Sequence, residues 1–513
     1  MAGEVAPDPG TGPASVHRAK IVALGPGRTG ATPSNVAWIA SLPPAEQARF
    51  AGRIRRKPTR TLSGVAIVAV MTSPARCPHG RCTYCPGGLD RGSPQSYTGE
   101  EPSALRGAQF GYDARIITAQ RLAALEAIGH PTSKVEAIVM GGTFTSRPPS
   151  YQATMLKGVY DGLNGTVAAS LADAQRTNET AARRLVSLTV ETRPDGLAPP
   201  QLAALLDAGV TRVEIGVECL RDPVLFAIGR GHGVDAVVTA TRAVRDHGLK
   251  IGYHMMPGLP GMTPADDLAD LRRLFADPAF RPDMLKLYPT LVIPGTPLYD
   301  DWQAGRFTPY DEATVVDLLA RAKAELPPWV RIQRIQRDIP ARLIAAGVRR
   351  GNLRELVHDR LAADGRRCRC LRCREVGRRA IPSPTAFELT ERSYAAGNGR
   401  EVFLAFEEPR TDTVAGFLRL RFPSSTTSGG VTDPVIRELK VLGSEIAVGA
   451  TRGDGPAYQH RGFGRALVDR AIERARDAGA RKLLVTSAVG TRGYYARLGF
   501  RAQGPHMAKP LFA

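Results

Sequence analysis

The run GVAIVAVM (64–71), followed after TSPAR by Cys77-Pro-His-Gly-Arg-Cys82-Thr-Tyr-Cys85, decides how this chain folds. An uninterrupted apolar, β-branched run reads as a strand buried on both faces, as in a parallel sheet. The cysteines after it have the spacing C-x4-C-x2-C. Three thiolates on one loop can hold three irons of a [4Fe-4S] cluster and leave the fourth iron open to a small molecule. With His79 as a fourth ligand, the same loop would make a structural zinc knuckle instead.

The pattern that follows is a series of βα units. Candidate strands are VEAIVM (135–140), VSLTVE (186–191), TRVEIGV (211–217), LKIGYHM (249–255) and DMLKLY (283–288), with VRIQRI (330–335) closing the series. Helical runs such as ARIITAQRLAALEAI (114–128) and VDAVVTATRAVRDHG (234–248) separate them. Six such units predict a partial (β/α)6 barrel over residues 61–335. Residues 1–60 are rich in Pro, Gly and Ala, end in RIRRKPTR, and read as a basic N-terminal extension. Residues 336–385 carry many arginines, little apolar material and a second cysteine group, Cys368, Cys370 and Cys373. They read as a linker or a metal-stapled miniature domain. From residue 386 to 513, four strand-like runs precede the glycine-bearing QHRGFG (459–464), a helix and further strands, which predicts a compact α+β domain.

Composition bounds the function. The chain has 513 residues, 69 Lys plus Arg against 49 Asp plus Glu, and a net charge of +20. A hydrophobic content of 43% supports several buried cores and excludes a disordered tail protein. No apolar run is long enough to span a membrane and the N-terminus has no apolar signal core, so a cytoplasmic location without a membrane partner is expected. The positive excess suits a polyanionic partner. Six of the seven cysteines fall into two trios, which in a reducing compartment points to metal and not to disulfides.

Barrel enzymes gather their chemistry at the C-terminal ends of the strands. Here those ends carry Gly141-Gly142-Thr143-Phe144, Glu191-Thr192-Arg193, Glu218-Cys219 and His254. The cysteine loop after the first strand, Tyr84 before the last cysteine and the glycine pair after the second strand resemble the radical S-adenosylmethionine family, although the family's usual spacing is C-x3-C-x2-C. The resemblance implies a [4Fe-4S] cluster on Cys77, Cys82 and Cys85. Its open iron would hold S-adenosylmethionine, cleaved to a 5′-deoxyadenosyl radical, with Gly141, Gly142 and Glu191 as candidate contacts. Gln459-His460-Arg461-Gly462-Phe463-Gly464 is similar to the Q/R-x-x-G-x-G/A cradle of GCN5-related N-acetyltransferases (GNAT), where glycines and a helix N-terminus hold the coenzyme A pyrophosphate.

The two halves together resemble the catalytic subunit of Elongator and its stand-alone archaeal and bacterial relatives. The resemblance runs from about residue 57 to the C-terminus through CPHGRCTYCPGG, PQSYTGEEPSALR, KVEAIVMGGTF, VETRPD, YHMMPGLPGM, RIQRDIP, CRCLRCREVG and TRGYYARLGFRAQGP. It implies a tRNA uridine(34) acetyltransferase, that is, a carboxymethyluridine synthase, which joins the acetyl-CoA methyl carbon to carbon 5 of the wobble uridine and hydrolyses the thioester. It further implies acetyl-CoA contacts at Lys134, beside the barrel mouth, and at Glu438, Leu439, Lys440, Val441, Phe463, Gly464, Arg465 and Tyr495. Lys134 and Tyr494 or Tyr495 are the catalytic candidates. Cys368, Cys370 and Cys373 resemble the family's zinc-binding linker, with an unnamed fourth ligand for which His358 is a candidate. The partner implied is the tRNA anticodon stem-loop, bound by a stand-alone monomer or a homodimer, with the useful positive charge along the interface of the two domains.

One departure is evident. Where relatives commonly read G-V-Q-S, this chain has Gly216-Val217-Glu218-Cys219, which adds a carboxylate near the expected adenosine site. Two competing readings remain at this stage: a protein lysine N-acetyltransferase with a structural barrel, and a non-catalytic tRNA-binding scaffold.

Overall fold

The computed structural model describes residues 61–378, 387–424, 429–443 and 461–512, with Ala23, Trp38, Ser41, Leu42, Pro43 and Glu46. The expected basic arm RIRRKPTR and the cradle residues Gln459 and His460 lie outside the described residues.

Seven strands form the first sheet in chain order: β1 Val65–Met71, β2 Lys134–Met140, β3 Arg184–Thr192, β4 Arg212–Glu218, β5 Lys250–Met255, β6 Met284–Leu287 and β7 Arg331–Arg334. Every neighbouring pair is parallel. The six expected units and the closing strand are all present. Parallel pairing demands crossovers, and helices such as Ala114–Glu126, Pro149–Asn164, Val234–Asp246 and Pro264–Ala276 supply them. The last of these begins at a capping box in which Thr263 and Asp266 satisfy each other's backbone N–H. The strand residues facing these helices, among them Val68, Val70, Val135, Val139, Val213 and Ile251, are fully buried.

The second sheet has the order β13-β14-β12-β11-β10-β9-β8. Its strands are β8 Glu388–Ala396, β9 Gly399–Glu408, β10 Thr413–Phe422, β11 Val435–Val441, β12 Lys482–Val485, β13 Arg501–Gln503 and β14 His506–Pro510. β11 and β12 are parallel, but only Val435 and Ile436 pair, with Leu484 and Val485. Beyond Ile436 the two strands part, so Glu438–Val441 present a sheet edge that β12 does not cover. On its other side β11 pairs with β10, and the register skips Arg437 between Ile436 and Glu438. The helix Phe463–Asp477 buries Leu467, Val468, Ala471 and Ala475 against this sheet.

The second sheet docks on the N-terminal ends of the first sheet's strands. Arg437 bonds Leu249 O just before β5 and Asp283 just before β6; Arg419 bonds Trp329 O before β7; Arg492 pairs with Glu179 before β3. Four arginines in this seam, Arg245, Arg419, Arg421 and Arg437, are fully buried. They meet four buried carboxylates, Asp246, Asp283, Glu401 and Glu438. Uncompensated buried charge is costly, and here four charges of each sign and the fork geometry of arginine cancel it.

The cysteine-rich segment is not separate from these two bodies. The helix Leu353–Ala363 puts Leu353, Val357 and Leu361 into the barrel core, together with Cys368 and Cys370. Leu371 and Val376 instead join the core beneath β8–β10.

Candidate functional site

At the C-terminal end of β1, the cysteine loop lies against the glycine pair that ends β2. Gly141 and Gly142 have φ of 125° and 85°. A Cβ on Gly141 would stand 2.1 Å from Thr72 Oγ1, and one on Gly142 would stand 3.8 Å from Cys77 Sγ. The positive φ of both residues and the Thr72 contact at Gly141 require glycine here, while the contact with Cys77 is an ordinary one. Cys77 Sγ is 3.4 Å from Thr143 Oγ1, Ser96 N–H donates to Cys85 Sγ at 3.2 Å, and Arg230 Nη1 lies 3.8 Å from Cys82 Sγ. Burial raises the Cys82 and Cys85 thiols, while Arg230 and the Ser96 N–H favour their thiolates. Thiols facing N–H donors and a guanidinium fit the ligand set of an iron–sulfur cluster, whose sulfurs accept such bonds.

A cavity opens beside this loop. Cys77, Gly142, Thr143, Glu191, Arg193, Glu218 and His254 line it, so the polar strand ends expected from the sequence do converge. Arg193 is held by Asp195 at 2.7 Å. The unusual Glu218 has φ of 71° at a break in the β4–β5 register. Its carboxylate meets Arg230 at 3.2 Å, which also bonds Gly216 O at 2.6 Å. The extra negative charge expected there is therefore neutralised by a cation on the same wall. Cys219 points away, its thiol near Arg221 O and pushed up to about 12 by burial.

Below the cavity the barrel axis is charged. A barrel interior is ordinarily filled by branched apolar side chains. Here Glu191 accepts from Tyr97 Oη at 3.1 Å and from Lys286 Nζ at 2.8 Å; Lys286 also pairs with Glu214, which meets His254 Nε2 at 3.2 Å. Arg212 joins Glu214 at 3.2 Å to Glu136 at 2.5 Å. Glu136 in turn lies 3.9 Å from Lys440 Nζ on β11, and Lys440 is 3.7 Å from Glu438. Ion pairs thus run without a gap from the cavity to the uncovered edge of β11. Burial alone would raise Glu136, but Arg212 and Lys440 outweigh it and hold it at about 2. Burial pushes Lys250, beside Glu438 and Glu136, down to about 8.

In the second domain, Gly462 caps the helix Phe463–Asp477 with φ of 84°. A Cβ on Gly464 would stand 2.9 Å from Tyr494 Oη and 3.5 Å from Val441 Cγ2. Helix start, Tyr494 hydroxyl and β11 edge therefore meet at one point. Leu439, Lys440 and Val441 are partly exposed there, while Glu438 is buried on Arg419 at 2.9 Å. Phe463 packs on Phe406 at 4.6 Å, and Arg465 is exposed beside Asp469. Tyr495 lies in the core against Phe500, with burial raising its phenol. The two tyrosines are thereby distinguished: Tyr494 is at the cradle and Tyr495 is beneath it.

The second cysteine trio places its Cys368, Cys370 and Cys373 sulfurs within 4.8 Å of one another, and His358 Nε2 is 3.6 Å from Cys373 Sγ. Burial, then Lys323 and Arg354, hold His358 down at about 4, which leaves a neutral imidazole. Three thiols and a neutral histidine suit tetrahedral zinc.

One expectation needs correction. Lys134 is the first residue of β2 and Gly141 follows its last, so Lys134 stands at the opposite end of the strand from the cysteine loop, about 20 Å along it. It is not beside the mouth; it is on the end where the second sheet docks. At the interface of the two domains, four arginines are buried in ion pairs, while Lys440 on β11 stays partly exposed. The sequence reading missed Arg212, Lys286 and Arg230. The first two alternate with apolar residues in TRVEIGV and DMLKLY, and that period of two signals a polar barrel interior.

The chain matches the radical SAM superfamily over residues 71–274, the radical SAM C-terminal domain over 282–363 and the GNAT acetyltransferase family over 377–500. It is 45% identical over 470 residues to the tRNA uridine(34) acetyltransferase of Methanocaldococcus infernus, covering 89% of this chain and 88% of that one. It is 46% identical over 464 residues to that of Dehalococcoides mccartyi, covering 89% and 100%. Elongator complex protein 3 of Homo sapiens is 42% identical over 498 residues, covering 94% and 90%. The solved structure of the archaeal Methanocaldococcus infernus Elp3 with an N-terminal deletion superposes with a TM-score of 0.78 at 40% identity, covering 88% of this chain and all of that one. Among the described residues no helix is long and apolar enough to cross a membrane.

Proposed function

The chain belongs to the family of tRNA uridine(34) acetyltransferases and Elongator complex protein 3, and from that premise we propose that it forms 5-carboxymethyluridine at the tRNA wobble position from acetyl-CoA. What supports this reading is that one docked body holds both a cavity beside Cys77 and an uncovered β11 edge beside Tyr494. We place this work in the cytoplasm.

Cys77, Cys82 and Cys85 would hold the [4Fe-4S] cluster, with Gly141, Gly142 and Glu191 near S-adenosylmethionine. When bound, the two supply a 5′-deoxyadenosyl radical that removes hydrogen from the acetyl methyl group. Arg230 holds Cys82 and Glu218 in place. The uncovered backbone of Glu438–Val441 offers hydrogen bonds to the pantetheine arm, and the N–H groups from Phe463 onward face its pyrophosphate. Tyr494 is the hydroxyl placed to bond the thioester or donate a proton to the leaving sulfur. Lys134, on the docking end of β2, is a positioning candidate for acetyl-CoA. Cys368, Cys370, Cys373 and His358 would hold zinc and so clamp the segment that enters both cores.

The test is anaerobic reconstitution of the cluster, followed by reductant, S-adenosylmethionine, acetyl-CoA and tRNA, with nucleosides analysed by mass spectrometry. Carboxymethyluridine is expected from the wild type and not from Cys82→Ala. Acetylation of basic peptides that survives Cys82→Ala, without the nucleoside, would favour a protein acetyltransferase.

A further inference from the structure

A second cavity, of ≈ 480 Å³, is lined by Arg354, Arg366, Arg367, Arg372 and Arg378 and by no carboxylate. Cys368 and Cys373 reach one wall. A water occupies about 30 Å³ of liquid, so a single metal ion on the cysteine trio fills a corner of this space and leaves the rest to something larger.

The surrounding sequence, RRCRCLRCREVGRR (366–379), is dense in arginine, and the structure sorts these side chains by what they meet. Arg374 is buried on Glu407 and Asp412, Arg369 is paired with Asp412, and Arg378 with Glu375. Those three serve the fold. Arg367 lies 3.8 Å from Asp412. Arg366 and Arg372 make no ion pair within 4 Å among the described residues, although Glu325 and Glu375 act on them from further off. Arg354 reaches only backbone carbonyls, with its Nη1 buried and unbonded. Arg366 and Arg367 are exposed at the rim, so the cavity opens to solvent. Arg354, Arg372 and Arg378 line the same cavity with no carboxylate in its wall, so their like charges repel. An anion among these forks would relieve that repulsion, and planar guanidinium groups bind phosphate oxygens in pairs.

We propose that this arginine cavity binds the phosphodiester backbone of the RNA substrate, which makes the cysteine-rich segment part of the RNA footprint. The inference rests on the reading of the protein as a tRNA enzyme. An RNA strand is the occupant argued for because the rim is open, because the wall carries arginines and no carboxylate, and because the chain as a whole has a net charge of +20.

The experiment compares full-length wild type with the double variant Arg366→Gln/Arg372→Gln and the charge-keeping Arg366→Lys/Arg372→Lys, each checked for zinc content and thermal melting. tRNA Kd is measured across a salt series. Each phosphate contact contributes about 0.7–0.9 to the log–log slope, so the Gln variant is expected to lose roughly 1.4–1.8 from it, while the Lys variant keeps most of the slope. An unchanged slope in a folded, zinc-replete Gln variant overturns the inference. So does loss of inorganic phosphate or acetyl-CoA binding in that variant with tRNA binding intact, which assigns the cavity to a small anion. Wild type that binds no tRNA overturns the functional reading itself, and that outcome is separate from a wild type and variant that bind equally.

Discussion

Arg437 and Asp283 face each other across the seam of the two domains as a two-pronged ion pair, Nη1 to Oδ2 at 2.7 Å and Nη2 to Oδ1 at 2.8 Å, with both side chains fully buried. Arg437 is the residue that the β10–β11 register skips, and Asp283 immediately precedes β6. A bulge in one sheet thus supplies the bolt that holds it to the other.

Removing one partner of such a pair leaves a buried charge uncompensated. Arg437→Met is expected to destabilise the full chain by about 3–5 kcal/mol and to separate the melting of the two domains. A single cooperative transition at the wild-type Tm would contradict this role.

The same seam sets the acid limit. Asp283 lies well below the usual carboxylate range, because Arg437, Arg245 and Arg419 overcome the effect of its burial. Glu136 is held at about 2. A carboxylate whose folded pKa is depressed adds stability above its unfolded value and loses it as pH falls toward the folded one. The stability that these carboxylates add should therefore be complete above pH 5 and fall from about 4 toward 2, with Glu136 alone carrying on the order of 3 kcal/mol. This comes on top of a loss between about 6.5 and 4 from His358, which folding holds at about 4. Thermal melts at a series of pH values check this; a protein equally stable at pH 3 and 7 would refute it.

Tyr494 and Tyr495 should separate in function. Tyr494→Phe removes the hydroxyl at the cradle and is expected to slow tRNA-dependent acetyl-CoA hydrolysis by about 10²-fold. Tyr495→Phe alters a core position and is expected to change Tm and leave kcat in place. Equal losses of kcat in both variants would return the assignment to an open choice.

Arg230 touches Cys82 and balances Glu218. Supporting residues of this kind are worth about 10–100-fold in metal retention or activity, so Arg230→Gln should retain far less iron after desalting than wild type, with acetyl-CoA affinity unaltered. Iron content equal to wild type would remove Arg230 from that role.

His358→Ala tests the fourth zinc ligand, with a loss of about 10–100-fold in zinc affinity expected against a chelator series. Zinc affinity unchanged in His358→Ala and abolished in Cys370→Ala would assign the fourth position to another group.

The sequence made the barrel legible because each strand is an apolar run set off by a helix of clear period. It singled out the cysteine loop and the glycine-bearing QHRGFG because both are short local motifs, whose spacing suggests the chemistry proposed for them. Glu218 looked like a surplus charge because its counterion, Arg230, comes from twelve residues further along the chain and a different loop. Lys134 was placed at the wrong end of its strand because a motif match names a residue and says nothing of the direction in which the partner domain approaches.

By itself, then, the sequence determined two cofactor-bearing units, their order, and which cysteines belong together. The tertiary structure alone decided that the second unit docks on the N-terminal ends of the barrel strands, that the seam arginines are spent on carboxylates, that ion pairs fill the barrel axis, and that Tyr494 and not Tyr495 stands at the cradle. Those outcomes depend on pairings between residues as far apart as Arg437 and Asp283, and no local pattern encodes which buried charge will find which partner.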